Sequence, residues 1–223
     1  MPAVREVFGR SLGGGLGLFP LGVAFGMMVI QAGMPWWMAP VLSVVVYAGS
    51  VEMLLVGLLS ASTPLLTIAI TTFLVNSRHA FYAFSFPLRL VRNPLARAYS
   101  VYALTDETFA IVSGQPDGWG QRKLITLQVL LQAYWVAGGL TGTLFASVLP
   151  KPVEGLEFAL VALFIVLALD AARSWAELPS VVLAVASLAV GLVATPGAAL
   201  LTALLVFTAA LLVRHFARGR VHA

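Results

Sequence analysis

Glu52, Arg78, His79, Asp106 and Glu107 are the residues of this chain whose types suit moving a proton or holding a counter-charge. Each stands in or beside a stretch that is otherwise apolar. Glu52 is the sharpest case, because it separates two uncharged runs, Ser11–Val51 and Met53–Ser77. A charge at bilayer depth costs ~2.5–3.5 kcal/mol on insertion scales, so such groups face the protein interior or a polar pathway. Ionised, Glu52 needs a cation or several hydrogen-bond donors, and it suits proton coupling or an ammonium ligand. The structural alternative is a partnership with a neighbouring helix, for instance with Arg78. Arg78 itself suits a carboxylate, whether of a solute, Glu52 or Asp106, or it snorkels from a helix end. Adjacent helical residues point ~100° apart, so Arg78 and His79 do not face one partner together. His79 is either a proton carrier near neutral pH or a cap on a backbone carbonyl. Thr105-Asp106-Glu107 reads two ways. It is a helix start, with Thr105 as cap and the acids on the dipole, or it is a solute contact. Asp170 and Arg173, three apart, read as an end-of-helix pair.

The elements that must position these groups are membrane helices. The chain is 60% hydrophobic and 10% charged, with a mean hydropathy of +0.97, against about 25% charged residues in soluble domains. A spanning helix takes ~20 apolar residues, and the uncharged runs Ser11–Val51 and Leu178–Val213 are each long enough for two. The basic residues sit at the ends of apolar runs: Arg5 and Arg10; Arg89, Arg92 and Arg97; Arg122 and Lys123; Arg214, Arg218 and Arg220. That is orientation charge and excludes a nucleic-acid surface. There is no cysteine, hence no disulfide or thiolate metal site. The start of the chain does not read as a cleaved signal, because the apolar run after Arg10 continues into more membrane sequence.

The expected fold is all-α, a polytopic bundle forming one transmembrane transporter domain over residues 1–223. Segment one, about Leu12–Ala32, is glycine-rich and is expected to be broken at Pro20. Segment two is Pro35–Leu59, anchored by Trp36-Trp37. Segment three is about Pro64–Leu88. Ala98–Gly114 is short for a crossing and reads as a re-entrant element. Segment four is Leu124–Leu149 and segment five about Leu156–Ala172. Segments six and seven form a hairpin broken at Thr195-Pro196-Gly197. Placing the C-terminal tail and Arg122-Lys123 in the cytoplasm gives seven crossings, with the N-terminus outside. Eight crossings, with 98–114 spanning, is the alternative. Proline-interrupted apolar pairs in two halves would suit a secondary transporter. No nucleophile elbow, paired-histidine zinc helix or phosphate loop is present, so catalysis, a metal and a cofactor are not expected.

Four stretches carry a resemblance: Pro20-Leu-Gly-Val-Ala-Phe-Gly26, Tyr47-Ala-Gly-Ser50, Asn76-Ser-Arg-His-Ala-Phe-Tyr82 and Leu104-Thr-Asp-Glu-Thr-Phe109. In this order they resemble the AzlC family, the large subunit of branched-chain amino-acid exporters. The match is best over about residues 12–110, with the stretch from Gly155 to Phe164 beyond. The resemblance implies export of branched-chain or related neutral amino acids through the cell inner (cytoplasmic) membrane. It also implies a small membrane partner of the AzlD type. Glu52 stands where that family usually has glutamine, and Met53 where it often has an aromatic, so a cationic or less hydrophobic substrate, or altered coupling, is open.

On this reading the substrate-binding residues are Pro20, Gly22, Gly26, Tyr47, Gly49, Glu52, Asn76, Arg78, Thr105 and Asp106. The proton-coupling residues are Glu52, His79, Asp106 and Glu107. A helix end freed at Pro20 would meet the substrate carboxylate with help from Arg78. Glu52 or Asp106 would meet the ammonium, and Phe25, Met27 and Met28 the aliphatic side chain. The rival readings are an uncoupled channel-like path and a structural subunit.

Overall fold

The computed structural model describes residues 2–114, 118–149, 153–155, 158, 161–162, 165 and 178–219. These residues are helical and divide into two compact units, residues 1–61 with 76–161, and residues 62–75 with 162–223. Segment five, Asp170 and Arg173 fall largely or wholly outside the described residues.

The first unit is built on α1 (Pro2–Gln31) and α8 (Gln121–Val148), which pack along their length. Their sequences explain the closeness. Gly22 and Gly26 are spaced i, i+4 on α1, as are Gly138 and Gly142 on α8, and spacing of this kind lets membrane helices approach backbone to backbone. A Cβ on Gly26 would lie 2.0 Å from the Gly139 carbonyl oxygen, and one on Gly142 would lie 2.1 Å from that of Val23. Gly138 meets the Phe19 carbonyl in the same way, at 2.4 Å. Pro20 does not break α1, contrary to the expectation from sequence. The helix runs through it. Pro20 is exposed, and two residues from Gly22 place it ~200° around the helix from the seam, so its ring disturbs no packing.

The interruptions come later. Segment two, expected as one helix, divides into α2 (Met38–Val45) and α3 (Gly49–Ser60). Tyr47, between them, has φ +44°, in the left-handed region that non-glycine residues rarely enter. Segment three divides at Ser77 into α4 (Leu65–Asn76) and α5 (Arg78–Ser85). The 98–114 stretch begins earlier than expected and divides at 103–105 into α6 (Pro94–Tyr102) and α7 (Asp106–Gly114). Asn93 caps α6 by accepting from the backbone N–H groups of Leu95 and Ala96, with Pro94 in the first turn. Of the described helices, α1 and α8 are long and apolar enough to cross a bilayer unaided. The α2–α7 pieces are too short to do so alone.

In the second unit, α9 (Leu178–Ala194) and α10 (Ala199–Gly219) form the expected hairpin, turned by a 3₁₀ segment at Pro196–Ala198. Gly191 permits its tight crossing, since a Cβ there would sit 2.3 Å from the Ala199 carbonyl oxygen. The hydroxyls of Thr195 and Thr202 join at 2.6 Å across the turn.

The seam sets a clear expectation. Gly26→Leu or Gly142→Leu should abolish the monodisperse folded peak on size exclusion in detergent, because backbone carbonyls cannot give way. Gly17→Ala, where a Cβ meets nothing within 4 Å, should be neutral or stabilise by about 0.5–1 kcal/mol through helix propensity.

Candidate functional site

Residues beside three helix interruptions line one cavity of about 190 Å³ within the first unit. Val46, Tyr47 and Ala48 line it from the α2–α3 break, Asn76 and His79 from the α4–α5 break, and Val101, Tyr102 and Leu104 from the α6–α7 break. Helix C-terminal residues, among them Asn76, therefore stand on the cavity wall together with the N-terminal ends of α3, α5 and α7. Helix N-termini carry partial positive charge and C-termini partial negative charge.

Two polar atoms on the wall are buried with no hydrogen-bond partner among the described residues, the Tyr47 hydroxyl and the Asn76 side-chain oxygen. Tyr47 is 5% exposed. Buried polar groups are nearly always paired, so unpaired ones call for a reason such as a ligand. The Nδ1 of His79 lies 3.1 Å from the Asn76 carbonyl oxygen, which matches the capping role considered for it, and its ring meets Tyr82 edge-on.

Glu52 is fully buried beside this cavity but does not line it. Its carboxylate takes three donors: the Ser43 hydroxyl at 2.8 Å, the Trp135 indole N–H at 3.0 Å and the Ala48 backbone N–H at 3.1 Å. These three donors satisfy it. Ala48 is the extended N-cap of α3, so Glu52 reaches back to a donor freed by the break, in the manner of a capping-box acid. Gly49 makes room for the partner, since a Cβ there would lie 2.9 Å from the Trp135 ring. The indole is braced from the other side by Phe25, stacked at 5.7 Å. Phe25, like Gly22 and Gly26, thus belongs to the packing between α1 and α8, not to the cavity wall.

Sequence reading missed what α8 contributes. Gln128, Gln132 and Trp135 fall at i, i+4 and i+7 and so share one face. Gln128 donates to the carbonyls of Ser100 and Ala103 at the end of α6. Gln132 accepts from Tyr99 and donates to the Tyr102 hydroxyl, which in turn donates to the Val44 carbonyl at the end of α2. Trp135 holds Glu52. A polar stripe of this spacing inside an apolar helix was the available signal.

Thr105 caps α7 as expected, accepting from the Thr108 N–H at 3.4 Å, with Asp106 and Glu107 in the first turn. Asp106 also accepts from the Tyr82 hydroxyl at 2.7 Å, joining α5 to α7. Tyr82 stacks on Phe109 at 4.5 Å. The backbone of Arg78 begins α5.

Residues 15–149 match the AzlC protein family model. The chain belongs to the AzlC family. Among its curated AzlC relatives and neighbours, a membrane protein of Helicobacter pylori is 33% identical over 173 residues, covering 76% of each chain. The branched-chain amino acid transport protein AzlC of Bacillus subtilis is 29% identical, over 75% of this chain and 67% of the relative. The inner membrane protein YgaZ of Escherichia coli is 26% identical, over 65% and 63%. No solved structure matches the chain. The protein is accordingly a membrane protein of a family with a named amino-acid transporter, and the family match spans every residue lining the cavity.

The Glu52 node is open to a hydrogen-bond test. Glu52→Gln replaces one acceptor oxygen by a donor facing three donors and should cost about 1–3 kcal/mol. Ser43→Ala in the same chain should recover part of that cost, because it removes a competing donor. Thermal unfolding of the four-member double-mutant cycle measures the coupling. Additive losses would show that the three donors do not share the carboxylate.

Proposed function

We propose that this protein is a secondary transporter that exports branched-chain or related neutral amino acids, and that the cavity at the three helix breaks is its substrate site. The observation that carries this is the convergence of three helix breaks on one small cavity holding two buried, unpaired polar atoms. Helix ends of both polarities suit a zwitterion. N-termini and the Tyr47 hydroxyl donate toward a carboxylate, and C-terminal carbonyls with the Asn76 side-chain oxygen accept from an ammonium group. Val46, Val101 and Leu104 supply apolar wall for an aliphatic side chain. The volume lies below the ~300–1,000 Å³ of drug-sized pockets, as a small solute requires. The amino-acid class is supported by the name of the Bacillus subtilis relative.

In this reading the whole chain forms one transport domain crossing the inner membrane seven times, with 98–114 re-entrant, and works with a small AzlD-type membrane subunit. Proton coupling would run through His79 and Asp106, near the α5 and α7 ends. Glu52 positions the α3 end that faces the cavity.

Everted vesicles carrying the protein with its small partner should take up labelled valine, leucine or methionine. Collapsing the proton gradient should stop uptake, and continued flux would indicate an uncoupled path instead. Asn76→Leu and Tyr47→Phe should raise KM about ten- to a hundredfold, the range for losing a hydrogen bond to a charged ligand group. Transport of no amino acid by a folded complex would overturn the proposal.

A further inference from the structure

In the second unit, α9 and α10 enclose an apolar groove of about 640 Å³ that opens widely to the surface. Leu178, Pro179, Val182 and Leu183 line it from α9, and Val213 and Arg214 from α10. Among the described lining residues, Arg214 carries the charge. Its Nη1 donates to the Ser180 hydroxyl at 2.8 Å, which holds the guanidinium across the end of the groove. Among the described residues, its side-chain partner is this neutral hydroxyl, and no aspartate or glutamate occurs from Leu178 to Ala223. The same stretch carries Arg214, Arg218 and Arg220, all at the C-terminal end. An apolar trough with a fixed guanidinium at one end has the chemistry of a lipid site, with acyl chain along the trough and headgroup at the charge.

We propose that the α9–α10 groove binds an anionic phospholipid, one acyl chain lying against Val182, Leu183 and Val213 and the phosphate meeting Arg214. Charge complementarity selects this occupant. The planar guanidinium pairs with phosphate oxygens in a forked geometry that an ammonium cannot copy, and basic pockets between membrane helices recur as headgroup sites. A zwitterionic lipid offers the same phosphate but adds a cation beside Arg214, so it binds more weakly.

The test uses the full-length chain in detergent, with phosphatidylglycerol or phosphatidylcholine of matched acyl chains added. Adducts are counted by native mass spectrometry and thermal unfolding is followed in parallel. Phosphatidylglycerol should be retained about fivefold or more over phosphatidylcholine, the effect of one basic residue near an anionic headgroup. Arg214→Gln should remove the preference, Arg214→Lys should keep only part of it, and Val182→Trp should block retention by filling the trough. Arg214→Gln that still folds and keeps the full preference would overturn the site, as would equal retention of both lipids. A second copy of the chain in the groove would appear as a concentration-dependent dimer lost in Val182→Trp, without headgroup preference, and would also overturn it. None of these outcomes depends on what the first unit's cavity binds.

Discussion

Interrupting a helix inside a membrane frees N–H and C=O groups that no water can satisfy, and each must find a partner within the protein. Residues beside three such interruptions lie in the first unit, and much of its polar chemistry answers them. One face of α8 does most of this. Gln128 closes the end of α6, Gln132 ties the two tyrosines that reach the end of α2, and Trp135 holds the carboxylate that caps α3. Remove that stripe and the breaks have no reason to remain open around a cavity.

This arrangement changes how Glu52 is understood. As a lone carboxylate between two uncharged runs it invites a direct role in binding. In the fold it is the keystone of a donor cluster, one layer behind the cavity wall. Under the proposed function, its influence on a solute would pass through the backbone it holds. On the cavity wall, the described residues with unfilled hydrogen-bonding capacity are the neutral Tyr47 and Asn76, which suits a solute that carries its own charges.

Much of the architecture was legible beforehand because hydropathy and glycine content are local properties. The α9–α10 hairpin and its Thr195-Pro196-Gly197 turn, the long α8, and the Thr105 cap were all readable within a few residues. The break was sought at Pro20 because proline removes a donor. The helix tolerates it there because its exposed side faces away from the glycine seam. The α2–α3 break was not legible because its cause is distant in sequence: the carboxylate that stabilises it is anchored by an indole 83 residues later. Gln128 and Gln132 escaped notice for a similar reason, since a single amide in an apolar run looks incidental until its partner at the end of another helix is known.

The glycine seam between α1 and α8 has a mechanical consequence. Where backbone touches backbone there is no side chain to compress or swing aside, and a shift of one residue along the seam would drive a side chain into a carbonyl. The pair therefore resists sliding along the seam. Under the proposed function, movement around the cavity would fall to the helix breaks rather than to this seam. Those breaks also line the cavity, so on that reading solute and hinge would occupy one place.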